Sequence, residues 1–558
     1  MKINGKDIRG AEVKHLPIIS AYASRIGLVE AIDGLLDCDM EVSPGRMVLA
    51  MILDSLSGRS PLFRMEEFFA DQDVELLLGE DIPLAKMRDH TFGRVLDRLA
   101  EAGTNKVLGA VIVGVMQSFD LEMSHVHHDT TSHSLYGDYA LYDEENPVDR
   151  FTITHGFSKD HRPDLKQLVH SLLCVDHGIP IYSKLHDGNA SDKNINRSLI
   201  PEMVKRMRKL ERKDFIYVAD SALITQDNLS LIKDWEGGCL FLSRLPMTYN
   251  ECRDAIARAV AADAWEEIGV ISDQPETKNR KPASYLTFET GVNLYETDYR
   301  VIVVHSDAHD KRRTKRVEKE LEKDVKDLTK AAKELEQVTY ACLPDAQAAA
   351  ARLPSGAYHA LSAEIEPVHR YARGRPKVDG TRRITDTRYA LKIRITPKNE
   401  AIEKARQEAG CFVLITNAPS WGSSAVSAKQ LLTIYKDQHM VESNFAFLKD
   451  PVFVNALFLK SPRRIEALGL VLILALLIWR LIERNMRTNL KSHKAKITGW
   501  VKRQTSRPTT FMMTTKFSRM LVLSIGGRRR LLRPLNEVQL HYLKILDLTP
   551  QVFTTVPP

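Results

Sequence analysis

Between Ser43 and Phe119 apolar residues recur at steps of three and four, the spacing that lays one stripe along a helix. Ser43-Pro44 offers a capping side chain followed by a ring-fixed φ, the preferred order at a helix start. Met47, Leu49, Met51, Ile52 and Leu56 follow at helical spacing. PLFRMEEFFADQDVELLLG and the segments Thr91–Ala102 and Asn105–Phe119 repeat the pattern. Residues 1–118 are therefore expected to form an all-helical N-terminal domain.

The pattern changes at Ser124. Within SHVHHDTTSHSLYGDY, Val126–Thr131 is a β-favouring run between turn-prone residues, with Asp129 at its centre. Phe151–Phe157 is predicted as a strand, followed by the polar segment SKDHRPDLKQ. Leu168–Val175 and Ile179–Leu185, joined by Asp176-His177-Gly178, read as a hairpin. After the turn HDGNASD come a helix at Asn196–Leu210 and a strand, DFIYVAD (Asp214–Asp220), that ends in a carboxylate. A helix at 226–235 and a short strand at Gly238–Ser243 close this part, residues 119–243. The alternation is that of a mixed α/β fold, in which ligand sites gather at strand ends.

Residues 244–410 depart from this alternation. Strand-like runs at Tyr285–Glu289, Tyr299–His305, Tyr358–Glu366 and Tyr389–Ile395 surround one long charged helix, Lys311–Gln337. Val317, Leu321, Leu328, Ala332 and Leu335 give that helix a single apolar stripe, so it reads as a solvated arm packed along one side. The loop YARGRPK (371–377) carries cations suited to a phosphate. Residues 411–483 return to the earlier style, with the strand Cys411–Asn417 and then Ser-Ala-Lys-Gln from Ser427, a capping-box pattern. The helix it opens is expected to run unbroken towards Lys449. Tyr435, Gln438, Glu442 and Lys449 would then share one face, beside the stripe Leu431, Val441, Phe445 and Leu448. Trp421, in NAPSWGSS, reads as a packed loop aromatic.

Composition narrows the class. At 558 residues the chain exceeds one core, and 44% hydrophobic with 27% charged residues is a globular balance. Six scattered cysteines without a C-x-x-C pair argue against a disulfide framework and a Cys-based zinc site, and for a reducing compartment. MKINGKDIRG has no apolar signal region, so a cytoplasmic location is expected. Ala467–Trp479 is apolar throughout but bounded by Glu466 and Arg480, too short for a span and read as a buried helix, with no membrane partner. Charge is unevenly placed: Arg484–Arg533 holds fourteen Lys/Arg and no Asp or Glu, against a net +7 for the whole chain. A one-signed block of this kind points to a polyanion, and the basic C-terminal region 484–558 is expected to meet nucleic acid.

Asp129 on a first strand, Asp220 on a later one and Glu442 on a helix resemble the DDE triad of ribonuclease-H-like transposases and integrases. Y-x2-Q-x3-E-x6-K from Tyr435 to Lys449 is similar to the Tyr-Arg-Glu-Lys signature of bacterial insertion-sequence transposases. HHDTTS, GFSKDHRPDLKQ, DGNASD, YVADSALIT, FLSRLP and the N-terminal HLPIISAYASRIGLVEAID resemble blocks of one subgroup of these enzymes. The signature's Arg is here the neutral Gln438. The resemblance implies a ribonuclease-H-like mixed sheet with helices, interrupted by a β-rich insertion domain (244–410), and an N-terminal domain serving DNA-end recognition or assembly.

That likeness carries a chemistry. Asp129, Asp220 and Glu442 are hard oxygen donors suited to Mg²⁺ or Mn²⁺, two ions of which clamp the attacking and leaving oxygens of an in-line phosphoryl displacement. Such an enzyme cleaves DNA at element ends and joins it to a target, and its synaptic complex is expected to be a homodimer on double-stranded terminal inverted repeats. Tyr435, Gln438 and Lys449 are the implied DNA contacts near the cut; Arg484, Arg487, Lys491, Lys502, Arg503, Arg528, Arg529 and Arg530 are expected to contact DNA from the basic block. His125, His127, His128 and His133 lack an H-E-x-x-H helix or a cysteine partner and read as packing or DNA contacts. Two other functions fit the same chain: a non-catalytic DNA-binding relative, and a stand-alone metal-dependent nuclease that cuts without joining.

Overall fold

The computed structural model describes residues 8–36, 40–58, 60–136, 151–209, 215–233, 239–271, 282–373, 380, 382–422, 424–450 and 461–557. Gly137–Tyr139, Leu210, Asp214, residues 234–235, Gly238 and residues 374–377 of the segments above lie outside them. The chain forms two compact units, one made of Met1–Ser243 with Ile434–Pro558 and the other of Arg244–Thr433.

The first unit is mixed α/β. Its sheet runs in the order Ile179–His186, Lys166–Val175, His125–Leu135, Ile216–Val218, Leu240–Leu245, antiparallel in the first two pairings and parallel in the last two. Lys166–Val175 is buried along nearly its whole length, as its apolar run LVHSLLCV requires. The hairpin turns through Asp176, His177 and Gly178, all at positive φ. The strand predicted at Phe151–Phe157 is only an isolated bridge, Thr154 to Gln167, because the polar segment after it pulls the chain out of the ladder.

One helix organises the remainder of this unit. Pro462–Ser492 is long and apolar enough to cross a membrane, yet 89% of its most apolar window is buried within the protein. Leu16–Arg25, Pro44–Ser55, Asp89–Ala102, Thr104–Ser118 and the strand Ile179–His186 all pack on it. Each fully buried Leu, Ile or Val there is worth about 1.5–3 kcal/mol before chain entropy is counted. The N-terminal helices therefore share a core with residues far along the chain. Ser43 caps the helix Pro44–Ser55 by accepting from the Arg46 N–H, as its sequence predicts.

The N-terminal segment is not all-helical. Ile8–Glu12 is a strand, antiparallel to Leu521–Ile525, which pairs in turn with Arg528–Leu531. A five-residue run whose partner lies at the other end of the sequence shows no local period.

In the second unit Cys411–Thr416, Thr297–Ser306, Ser284–Leu294 and Glu266–Val270 form successive antiparallel pairs. A three-stranded sheet of Thr339–Tyr340, Ile384–Pro397 and His359–Tyr371 lies beside the helix Asp307–Glu336. The predicted stripe is buried: Val317 and Leu321 pack with Ile402 and Ala409, and Leu328 and Ala332 with Leu361. Trp421 is 82% exposed and not packed, since the flanking Pro419, Ser420 and Gly422 bring no apolar surface to it.

Candidate active site

Two aspartates meet through strand register. His125, Val126 and His127 pair in parallel with Ile216, Tyr217 and Val218. Two positions beyond the last pair come Asp129, still within its strand, and Asp220, just past the end of the other, close enough for its charge to act on the Asp129 carboxyl. The strand predicted to end at Asp220 ends at Val218, and Asp220 caps the short turn after it, accepting from the Ala222 N–H at 3.1 Å, while Asp129 accepts from the Thr130 N–H at 2.8 Å. Burial, with Asp220 and Asp192 adding repulsion, pushes the Asp129 carboxyl up to about 6 against the pull of Thr130 and Lys159. Burial and then Asp192 raise Asp220 as well. Two carboxylates in each other's field, short of compensating charge, fit a hard cation.

Asp192 and Lys159 belong to this neighbourhood, and the sequence reading had not singled either out. The Thr130 hydroxyl donates to Asp192 Oδ1 at 2.5 Å and accepts from Lys159 Nζ at 2.7 Å, and Lys159 pairs with Asp192 Oδ2 at 3.3 Å. Both sit in motif blocks, GFSKDHRPDLKQ and DGNASD. The two blocks are held together by backbone approach at Gly188, where an added Cβ would lie 2.1 Å from the Gln167 carbonyl oxygen and 2.4 Å from that of Thr154. Behind the strand, buried Tyr217 donates to Asn196 Oδ1 at 2.7 Å and meets His128 Nδ1 at 2.9 Å.

Glu442 lies on a helix that is not continuous with the capping-box turn. The box forms, Ser427 accepting from the Gln430 N–H and Gln430 Oε1 from the Ser427 N–H. The helix it opens ends at Lys436, and a second begins at His439. Asp437, Gln438, Met440 and Val441 each donate to a carbonyl three residues back, the tighter 3₁₀ spacing that breaks the predicted single helix. Tyr435 is half-buried on the first piece.

The second piece, His439–Lys449, is tied along the Asp129 strand. Gln438 Nε2 donates to the His128 carbonyl at 2.8 Å, and its Oε1 meets His127 Nδ1 at 3.1 Å. Phe445 touches the ring of His170, which stands opposite Thr131. Lys449 Nζ pairs with Asp160 at 2.6 Å, next to Lys159, whose N–H donates to Ser132. The tie points thus advance along the strand as they advance along the helix. Glu442 is one turn past Gln438, roughly 6 Å at 1.5 Å per residue; Asp129 is two residues past His127, roughly 6.6 Å. Alternation puts Asp129 on the same strand face as His127. Glu442 is exposed and makes no hydrogen bond or ion pair with another described residue. From behind, Arg480 donates to Asn444 Oδ1 at 2.6 Å and Ser443 Oγ at 2.8 Å, and Asn444 reaches the Gly178 carbonyl at 2.7 Å.

Among the described residues no group of three or more His, Cys, Asp or Glu side chains is arranged to hold a metal ion.

Several expected DNA contacts are engaged inside the protein instead. Gln438 docks the helix. Arg484 pairs with Asp176 at 2.8 Å, Arg487 with Glu483 at 2.7 Å, and Arg529 with Asp73 at 2.7 Å and Glu75 at 2.6 Å. The partners of Arg484 and Arg529 come from distant segments, and that of Arg487 lies one turn back, just ahead of the one-signed block, so a count of charge within the block could not reveal them. Lys491, Lys502, Arg503, Arg528 and Arg530 are exposed.

A family model described as a domain of unknown function (DUF4277) matches residues 8–113. No curated protein matches the chain. Among solved structures, the chain is similar to a piggyBac transposase in a synaptic complex with hairpin DNA, at 10% identity over 86% of this chain and 76% of that one, with a TM-score of 0.34. It is also similar to the Mos1 transposase in a paired-end complex with the left transposon end, at 14% identity over 32% of this chain and 58% of that one, with a TM-score of 0.14. Scores this low lie beneath the level of a shared fold.

Proposed function

We propose that this chain cuts and rejoins DNA as a transposase of the DDE type, with Asp129, Asp220 and Glu442 as the acting carboxylates. The observation that carries the reading is the buried pair Asp129 and Asp220, each two positions beyond the pairing of His127 with Val218, with the Glu442 helix tied alongside by Gln438 and Lys449. In this reading the first unit's mixed sheet is a ribonuclease-H-like core and the second unit is an insertion. Bound Mg²⁺ or Mn²⁺ would supply activation of the attacking oxygen and charge relief on the leaving one. Asp129 and Asp220 would hold such ions because their own repulsion is relieved by doing so, and Glu442 would complete the oxygen set. Asp192 and Lys159 orient the strand at Thr130, and Lys159 brings a positive charge to the pair's edge. The exposed cations of the C-terminal region would hold the DNA backbone. Double-stranded element ends and target DNA, a homodimer holding two ends, and a cytoplasmic location belong to the same proposal.

The test uses a plasmid carrying the element's flanking inverted repeats, with Mg²⁺. Wild type is expected to nick at the repeat ends and to give joined products, while Glu442→Gln and Asp129→Asn bind the same DNA and do neither. Cleavage without joined products would favour the stand-alone nuclease. Binding with no cleavage, at saturating protein and either metal, would favour the non-catalytic relative.

A further inference from the structure

After the long helix the chain makes a small hairpin, Ile497–Thr498 against Gln504–Thr505. Its tip closes through the Gly499 N–H to the Arg503 carbonyl at 2.7 Å and the Arg503 N–H to the Trp500 carbonyl at 2.9 Å. Val501, at φ 50° and ψ 35°, and Lys502, at φ 60°, both sit in the left-handed region. For a branched residue such as Val this is a true outlier, and outliers of this kind persist where the surroundings impose them. Here the base of the hairpin is fixed: Lys516 Nζ donates to the Gly499 carbonyl at 2.9 Å and Tyr542 to that of Thr498 at 3.0 Å.

The strained tip displays apolar surface. Val501 is 88% exposed and Trp500 43%, with the half-exposed Phe511 ring 5.9 Å from the indole. Lys491, Lys494, Lys496, Lys502 and Arg503 are exposed around it in the sequence, and none has an ion pair with another described residue. They contrast with Arg484, Arg487 and Arg529, which the fold neutralises. Arg507, just after the hairpin, lies close enough for its charge to act on Asp437, the neighbour of Gln438.

A rigidly held indole between unneutralised cations matches a strand with phosphates outside and a π-face within. We propose that Trp500, backed by Phe511, stacks on an unpaired base of DNA held at the site, with Lys502 and Arg503 on the adjoining phosphates. This rests on the proposed DNA reaction and adds to it a preference for ends with unpaired bases.

The test measures fluorescence anisotropy of the full-length protein with a blunt labelled duplex and with the same duplex bearing unpaired nucleotides at one end. Trp500→Ala is expected to weaken binding of the unpaired-end duplex about tenfold or more, that of the blunt duplex by less than about twofold, and Trp500→Phe to restore most of the loss. Equal weakening of both duplexes, or of neither, overturns the proposal and leaves the DNA reaction standing if wild type still binds and nicks. Loss of binding to phosphatidylglycerol vesicles in Trp500→Ala, with DNA binding unchanged, assigns the tip to lipid and overturns it too. A wild type that binds neither duplex removes both readings.

Discussion

Asp129 and Asp220 each lie two positions beyond the pairing of His127 with Val218, the first within its strand and the second just past the end of the neighbouring parallel one. The arrangement is costly for the metal-free protein. The folded state holds the Asp129 proton up to about pH 6, whereas an unfolded aspartate releases it near pH 3.9. The penalty is therefore absent below about pH 4, grows as pH rises to about 6, and stays constant above, at roughly 1.4 kcal/mol per unit of that window. Asp129→Asn should accordingly be more stable than wild type at pH 7 without divalent ions, and the gain should vanish at pH 4. Urea unfolding at the two pH values measures it; a variant less stable than wild type at pH 7 would contradict the buried, uncompensated carboxylate.

Gln438 should behave as a docking residue. Gln438→Ala removes two hydrogen bonds to the Asp129 strand and is expected to cost about 1–2 kcal/mol of stability. It should lower nicking while leaving the salt dependence of DNA binding unchanged. A reduced salt slope with unaltered stability would make it a phosphate contact instead.

The cations divide into two classes. Replacing Lys502 or Arg530 by Ala should lower the slope of log affinity against log salt by about one each and leave thermal stability unchanged. Arg529→Ala should do the opposite, because Asp73 and Glu75 lose their partner. Titrating salt from low to physiological strength for the three variants separates the classes, and a uniform loss of slope would erase the distinction.

Gly178 stands at φ +84° with the Met440 Cβ 3.2 Å from where its own Cβ would be. Gly178→Ala is expected to destabilise by about 1–2 kcal/mol and to disturb the Glu442 helix, which Asn444 anchors on the Gly178 carbonyl. Hydrogen exchange in residues 439–449 should accelerate; unchanged protection would show that the turn does not set the helix.

Val501→Gly should stabilise the protein by about 0.5–1 kcal/mol, since glycine takes a left-handed φ without strain. A melting curve shifted downward would show that Val501 contributes packing that outweighs its backbone.

The hairpin at Asp176–Gly178, the Ser43 and Ser427 caps and the stripe of the helix Asp307–Glu336 were legible because each is decided by residues within a turn or two. The two aspartates could be named, but their meeting could not, since it depends on a parallel pairing between segments some ninety residues apart. Asp192 and Lys159 were hidden for a related reason: their role comes from Thr130, and only backbone contact at Gly188 brings them to it. The break at Asp437-Gln438 was invisible because both residues tolerate a helix, and the pull that tightens it is exerted by His127 and His128.

The strand Ile8–Glu12 finds its partner only at Leu521–Ile525, and the helix bearing Glu442 rests on one that starts at Pro462. During synthesis the helix from Pro462 and the strand Leu521–Ile525 leave the ribosome after Arg244–Thr433, which is continuous and already complete. A polypeptide truncated ahead of residue 521 lacks the closing strand, and one truncated ahead of residue 462 lacks the scaffold under Glu442. A chain interrupted between residues 442 and 462 thus carries Asp129, Asp220 and Glu442 without the helix that backs the third of them.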